Sequence, residues 1–255
     1  MLEIDNLSKR FGGLCAVTGV TTKIEPCKVN AIIGPNGAGK TTFFNLISGM
    51  YRPTSGAIRL RGQDVAGLRA DQMARLGVAR TFQATTLFEG ATVLDNLIVG
   101  HRLRTRSNLL DVLLRTRRCK TEERACREKA RDALNFVGLS NIEERSAGDI
   151  TQEERKRVAI ALALSTEPAL LLLDEPAGGI NPEETDGLAE LIRKIATAGM
   201  TVCLVEHKMN MIMNLADKIM VLDHGEKIAE GTPAEIRTNQ AVIDAYLGSD
   251  HADVQ

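Results

Sequence analysis

The sequence carries almost no net charge: 32 basic against 33 acidic residues leave −1 over 255 positions. Nothing at the scale of the whole chain therefore recruits nucleic acid electrostatically, and none is expected as a partner. Paired cysteines are missing too. Cys15, Cys27, Cys119, Cys126 and Cys203 are odd in number, scattered and without a C-x-x-C spacing. They read as reduced thiols in a cytosolic protein rather than a disulfide frame or a zinc site. No apolar run reaches the roughly 18 residues that a spanning helix needs. The longest, Val158 to Leu173, is broken by Ser165, Thr166, Glu167 and Pro168. The opening MLEIDNLSKRFGG contains acids and no apolar stretch, so it does not read as a signal peptide. Internal repeats and low-complexity linkers are also lacking. If such a chain serves a membrane, it must bind one through a partner.

What is present is an ordinary globular composition, 44% apolar and 25% charged, enough for one large α/β domain or two small ones. Strand-like and helix-like stretches alternate, which predicts a mostly parallel sheet wrapped by helices. Val29 to Ile33 is a short apolar strand feeding a glycine-rich turn at Gly34. Thr41 to Ser48 follows as a helix with apolar Phe43, Phe44, Leu46 and Ile47. Pro53-Thr54-Ser55-Gly56 marks a turn between strand-like pieces, predicting a small antiparallel section near the N-terminus. Leu170 to Leu173 is the continuous apolar run of a central parallel strand. Asn181 caps a helix with Pro182 at its first position and Glu183 and Glu184 in its first turn. Val202 to Val205 is the next buried strand. From about Ala84 to Gly148 the chain turns helical, polar and arginine-rich.

The sharpest motif is Gly34-Pro35-Asn36-Gly37-Ala38-Gly39-Lys40-Thr41, a complete G-x-x-x-x-G-K-[ST]. Its glycines let the backbone curl so that successive N–H groups meet phosphate oxygens with no Cβ in the way. The helix that begins near Lys40 adds its positive dipole end. Lys40 is expected to reach the β- and γ-phosphates of ATP and the Thr41 hydroxyl to ligate Mg2+. By average residue frequencies a chain of this length matches the pattern by chance roughly once in a hundred; the strand before it and the helix after it supply the confirming context. Leu170 to Leu173 ends in Asp174-Glu175. Acids at the carboxyl end of a buried strand face the crevice where ligands bind in such sheets. Asp174 is placed to hold the magnesium shell and Glu175 to orient or deprotonate an attacking water. Without the phosphate loop, the same acids would read as a strand ending in solvent. Gln83 follows a strand-like Gly77 to Phe82, and His207 follows Val202 to Val205; either residue taken alone is ordinary surface.

At this point the order of motifs resembles the nucleotide-binding domain of ABC transporters over nearly the whole chain. The resemblance implies a P-loop NTPase (RecA-like) core with a mostly parallel sheet, a small N-terminal antiparallel β section and an inserted helical subdomain. One domain over 1–255 is expected, with the core at 1–83 and 160–255 and the helical subdomain at 84–159. Phe11 lies where the family places an aromatic on adenine. Gly34, Asn36, Gly37, Ala38, Gly39, Lys40, Thr41 and Thr42 look like its Walker A loop, and Gln83 like its Q-loop glutamine. Asp174 and Glu175 look like the Walker B pair, Gly178-Gly179-Ile180-Asn181 like the D-loop, and His207 like the switch histidine, making Glu175, His207 and Gln83 the catalytic set. Arg10-Phe11-Gly12-Gly13-Leu14, Arg80-Thr81-Phe82-Gln83, Glu175 to Pro182, and the ending from Gly231-Thr232-Pro233 to Ala245-Tyr246-Leu247-Gly248 look like the branched-chain amino-acid importer ATPases. Urea-importer and lipopolysaccharide-exporter ATPases are close relatives of that group. The resemblance implies a second ATPase subunit bound head to tail, two membrane subunits, a periplasmic binding protein and a place at the cytoplasmic face of the cell membrane. A non-hydrolysing regulatory module and a soluble protein acting on ribosomes or DNA are the alternatives; the second usually carries two such domains or a long coiled-coil insert.

One stretch departs from the family. Where it has L-S-G-G-Q, about twenty residues before Walker B, this chain reads Ile150-Thr151-Gln152-Glu153-Glu154-Arg155. Both glycines are gone; Thr151 keeps a hydroxyl and Glu154 stands in place of glutamine. Gln152 and Glu153 add bulk where a partner's phosphate approaches the backbone. An unscreened Glu153 carboxylate there would cost on the order of 1–4 kcal/mol. Thr151-x-x-Glu154 is also a capping box ahead of a helix from Arg155 to Leu164. The expectation is an asymmetric heterodimer, in which the site closed by Thr151, Gln152, Glu153 and Glu154 is slow or only holds nucleotide. The segment His101 to Arg131 has eleven Lys or Arg against four acids. It fits a solvated helical lobe, a contact with membrane subunits or anionic lipid, or, least well for want of aromatic residues, nucleic acid.

Overall fold

The structure, a computed structural model, describes residues 1–81, 87–102 and 116–249. Gln83 and much of the basic segment, including Asn108 to Leu114, lie outside the described residues, as do the side chains of 101–102, 118–120 and 247–249. In chain order the elements begin β1 (Leu2–Phe11), β2 (Leu14–Ile24), β3 (Val29–Ile33), α1 (Lys40–Ile47), β4 (Ser55–Leu60), β5 (Gln63–Asp64), α2 (Ala70–Arg75) and β6 (Val78–Arg80). Then come α3 (Val93–Arg102), α4 (Arg117–Phe136), α5 (Gln152–Leu164), β7 (Leu170–Asp174), α6 (Pro182–Thr197) and β8 (Thr201–Val205). The chain closes with α7 (Met209–Leu215), β9 (Lys218–Asp223), β10 (Glu226–Gly231), α8 (Pro233–Arg237) and α9 (Gln240–Ser249). They form two units, one of Met1–Arg80 with Ala169–Gln255, the other of Thr81–Pro168.

The first unit holds two sheets. An antiparallel sheet runs β2-β1-β4-β5, and a six-stranded sheet runs β10-β9-β3-β8-β7-β6, parallel except for the β9–β10 hairpin. β3, β7 and β8 are buried at every residue, as strands covered on both faces must be. β2 instead alternates over its second half, with Val20, Thr22 and Ile24 inward. Its apolar face joins Leu2, Ile4 and Leu7 of β1 and Phe43, Phe44 and Ile47 of α1 in one core. Both phenylalanines are fully buried, each contributing about 1.5–3 kcal/mol. The register matters most for function. Ile32 pairs with Val205, and Val205 with Asp174, so the carboxyl ends of β3, β8 and β7 finish level with one another.

Two boundaries differ from the sequence reading. α1 starts at Lys40 because Gly39, its N-cap, takes a left-handed conformation that closes the preceding loop. α5 starts at Gln152, directly after the Thr151 cap, so the three residues between cap and expected start are helical. In the second unit α3, α4 and α5 pack on one another, burying Leu97, Leu134 and Val158. No helix among the described residues is long and apolar enough to cross a membrane.

Candidate functional site

The phosphate loop leaves β3 at Gly34 and enters α1 at Lys40. Two of its glycines are demanded by close approach. A Cβ on Gly34 would lie 2.0 Å from the Leu222 carbonyl oxygen, and one on Gly39, at φ +92°, 2.4 Å from that of Ala16. The loop is thus wedged between β2 and the β9–β10 turn, where Gly225 N–H donates to the Ala38 carbonyl (3.1 Å) and Thr18 N–H to that of Gly225 (2.8 Å). Ala38 is buried and Asn36, Gly37 and Thr41 are exposed, with Lys40 and Thr42 half-buried. Lys40 Nζ folds over the loop and donates to the Gly34 and Pro35 carbonyls at 2.7 and 2.8 Å. Burial pulls its pKa below the usual lysine value, and the Glu175 carboxylate partly opposes that. A half-buried ammonium that donates to two carbonyl oxygens is suited to an anionic ligand.

Asp174 and Glu175 close β7. Asp174 is buried and forms an ion pair with Arg80 of β6, Nη2 to Oδ2 at 2.7 Å. The same guanidinium donates through Nη1 to Asn45 Oδ1 of α1 (2.7 Å) and to Ser48 Oγ (2.8 Å), the residue that caps that helix, and lies over the Phe44 ring. One side chain therefore ties β6, β7 and α1 around the acid. Glu175 sits at φ +46°, a strained conformation for a side chain with a Cβ, of a kind concentrated at functional sites. Its N–H donates to the Val205 carbonyl (2.9 Å), and its carbonyl accepts from Gly178 N–H (3.1 Å). The strain is thus held from both sides.

His207 follows β8 with its side chain 59% exposed. Its neighbour Glu206 is wholly buried and accepts hydrogen bonds from the backbone N–H groups of Ala177, His207 and Lys208. Lys208 Nζ donates to the Ile180 carbonyl (3.0 Å) and to Thr185 Oγ1 (2.9 Å). Asn181 caps α6, its Oδ1 accepting from Glu184 N–H at 2.8 Å. Phe11 ends β1, makes an edge-to-face contact with Tyr51 at 5.3 Å between centroids, and carries Lys9 Nζ 4.9 Å from its ring centre. The structure thus gathers Lys40, Thr41, Asp174, Glu175 and His207 at the level ends of three adjacent strands. Gln83 lies outside the described residues. Nothing in the sequence points to the contacts of Arg80, Glu206, Lys208 and Tyr51. A single acid after an apolar strand, or an arginine in a short one, looks like ordinary surface until its distant partners are known.

The oxygen donors suit a hard divalent cation: the Thr41 hydroxyl and the Asp174 carboxylate, of which Arg80 engages Oδ2. In the second unit, Thr151 Oγ1 accepts from Glu154 N–H (3.1 Å) and Glu154 Oε2 from Thr151 N–H (2.7 Å), a complete capping box. Gln152 is exposed there. Glu153 is not the unscreened charge expected: its carboxylate pairs with Arg157 one turn on, and Glu154 pairs with Arg145. Each carboxylate thus has a basic partner, and the bulk of both side chains remains.

A family model described as ABC transporter matches residues 17–178, and one described as branched-chain amino acid ATP-binding cassette transporter matches residues 226–252. The chain is 45% identical over 249 residues to the high-affinity branched-chain amino acid transport ATP-binding protein BraF of Pseudomonas aeruginosa, covering 97% of this chain and 98% of that one. It is 41% identical over 249 residues to the protein of that description, LivG, from Escherichia coli, with the same coverage. A probable LivG of Archaeoglobus fulgidus is 32% identical over 258 residues, covering 100% of this chain and 98% of that one. Among solved structures, an ATP-binding cassette of an ABC transporter in its ADP conformation aligns at TM-score 0.86 and 30% identity, over 97% of this chain and 98% of that one. A nucleotide-free cassette aligns at 0.84 and 30% identity, over 96% and 98%.

Proposed function

The chain belongs to the ABC transporter family, and from that membership we propose that it is the ATP-hydrolysing subunit of a branched-chain amino-acid importer, peripheral at the cytoplasmic face of the cell membrane. The relatives' descriptions and the match over residues 226–252 support the solute class. The observation that carries the chemistry is the level finish of β3, β7 and β8, which sets Lys40, Asp174, Glu175 and His207 along one edge. Phe11 stacks on adenine, and the loop from Gly34 to Thr42, with Asn36 to Gly39 at its turn, cradles the phosphates. Lys40 exchanges its carbonyl partners for phosphate oxygens, which are stronger acceptors. Thr41 and Asp174, with Gln83, hold Mg2+. When bound, the metal neutralises charge that develops on the phosphates. Glu175 accepts the proton of the attacking water and His207 contacts the terminal phosphate.

The core is the unit of Met1–Arg80 and Ala169–Gln255, and the unit of Thr81–Pro168 is the helical subdomain that carries the signature loop. A second ATPase subunit binds head to tail, two membrane subunits receive the motion, and a periplasmic binding protein delivers solute. The site closed by Thr151 to Glu154 is the slower of the two, because side chains replace both signature glycines. Turnover by the purified chain, alone and with candidate partner ATPase and membrane subunits, tests the reading, with Glu175→Gln as the blank. Turnover that needs the assembly and vanishes in the variant is expected. Tight ATP binding with no turnover in any assembly would favour a regulatory module instead.

A further inference from the structure

We propose that Glu206 and Lys208 are positioning residues that fasten the switch-histidine loop to the loop following β7, so that His207, Glu175 and the segment ending at Asn181 move as one body. A fully buried carboxylate is costly unless hydrogen bonds replace its water. Glu206 finds those bonds in two different loops. One oxygen accepts from Ala177 N–H at 3.0 Å. The other accepts from His207 and Lys208 N–H at 2.9 and 3.3 Å. The carboxylate is thus a bridge with one oxygen in each loop.

Lys208 makes the second tie from the same side. Its ammonium reaches the Ile180 carbonyl and the Thr185 hydroxyl, and that hydroxyl donates in turn to the Asn181 carbonyl at 2.7 Å. Fixed points at Ala177 and Ile180 bracket Gly178 and Gly179, and both fixed residues are buried. A displacement of Asn181 therefore reaches His207 through Thr185 and Lys208 rather than being absorbed in the loop. The functional weight of this coupling rests on the roles proposed above for Glu175 and His207.

Two measurements test it. The first is backbone hydrogen exchange on the purified full chain, comparing wild type with Lys208→Met, Thr185→Val and the double variant. Losing a bond to a charged donor should speed exchange about tenfold, the equivalent of ~1.4 kcal/mol. The increase is expected at 177–181 and 207–210 together, smaller in the double variant than the two single increases combined, with Tm lower by only a few degrees. Faster exchange confined to 207–210, or spread through β3 and β8, would overturn the coupling. The second is ATP turnover in the assembled transporter. Lys208→Met should lower kcat about tenfold and leave KM for ATP unchanged, with Lys208→Arg recovering part of the loss. An unchanged kcat, or a KM that moves with it, would overturn the positioning role. Should Glu175→Gln turn over like wild type, the catalytic reading fails by itself, and the exchange data still decide whether the two loops are joined.

Discussion

Arg80 holds the acidic end of the site together, because its partners are Asp174 of β7, Asn45 of α1 and Ser48 at the end of that helix. The side chains of Arg80 and Asp174 are 9% and 11% exposed, so removing one leaves the other charged and poorly hydrated. Arg80→Met is expected to cost about 3–5 kcal/mol, which a thermal melt should register as roughly 10 °C. Arg80→Lys should recover only the ion pair, since a lysine cannot span all three acceptors. A second residue sets the response to acid. Burial tends to raise the Glu230 pKa, but Lys218, Lys227 and Thr22 together hold it below the ordinary glutamate value. Its stabilisation is therefore complete above the unfolded-state pKa and is lost as pH falls through the lower folded value. Melts of wild type and Glu230→Gln should differ near neutrality and converge on acidification through the carboxylate range.

The start of α5 is fixed by a reciprocal cap, Thr151 to Glu154, and not by any glycine geometry. Thr151→Ala should cost about 1 kcal/mol, seen as a Tm lower by roughly 2–4 °C. Adding Glu154→Ala should cost less than its effect alone, because both residues serve one box. α6 uses the same device at Asn181 with Pro182 following. Both caps could be read directly, since capping chemistry is confined to four consecutive residues. The pairing of Glu153 with Arg157 is also local, at one helical turn. A helix begun at Arg155 leaves Glu153 outside it; only with the first turn starting at Gln152 do Glu153 and Arg157 fall on one face.

In the proposed pairing of this chain with a different ATPase subunit, the sequence departure at Gln152 and Glu153 would make the two sites unequal. In the assembled transporter, Glu175→Gln in this chain should remove most turnover, by about 10²–10⁴-fold. The equivalent change in the partner ATPase should remove little. Equal losses from the two substitutions would rule out the asymmetry.

The sequence by itself determined whatever is encoded contiguously. The phosphate loop, the strand ending in Asp174-Glu175, the caps at Thr151 and Asn181 and the largely apolar runs of β3, β7 and β8 each depend on a handful of neighbouring residues. Only the tertiary structure decided what joins them. Arg80 and Asp174 are 94 positions apart, and Glu206 and Ala177 are 29 apart. Strand order brings each pair together, through β6 beside β7 and β7 beside β8. An isolated acid or arginine looks alike in sequence whether solvent or a buried partner awaits it. Burial is a property of the packed sheet, and with it comes the energetic demand that gives these charges a role.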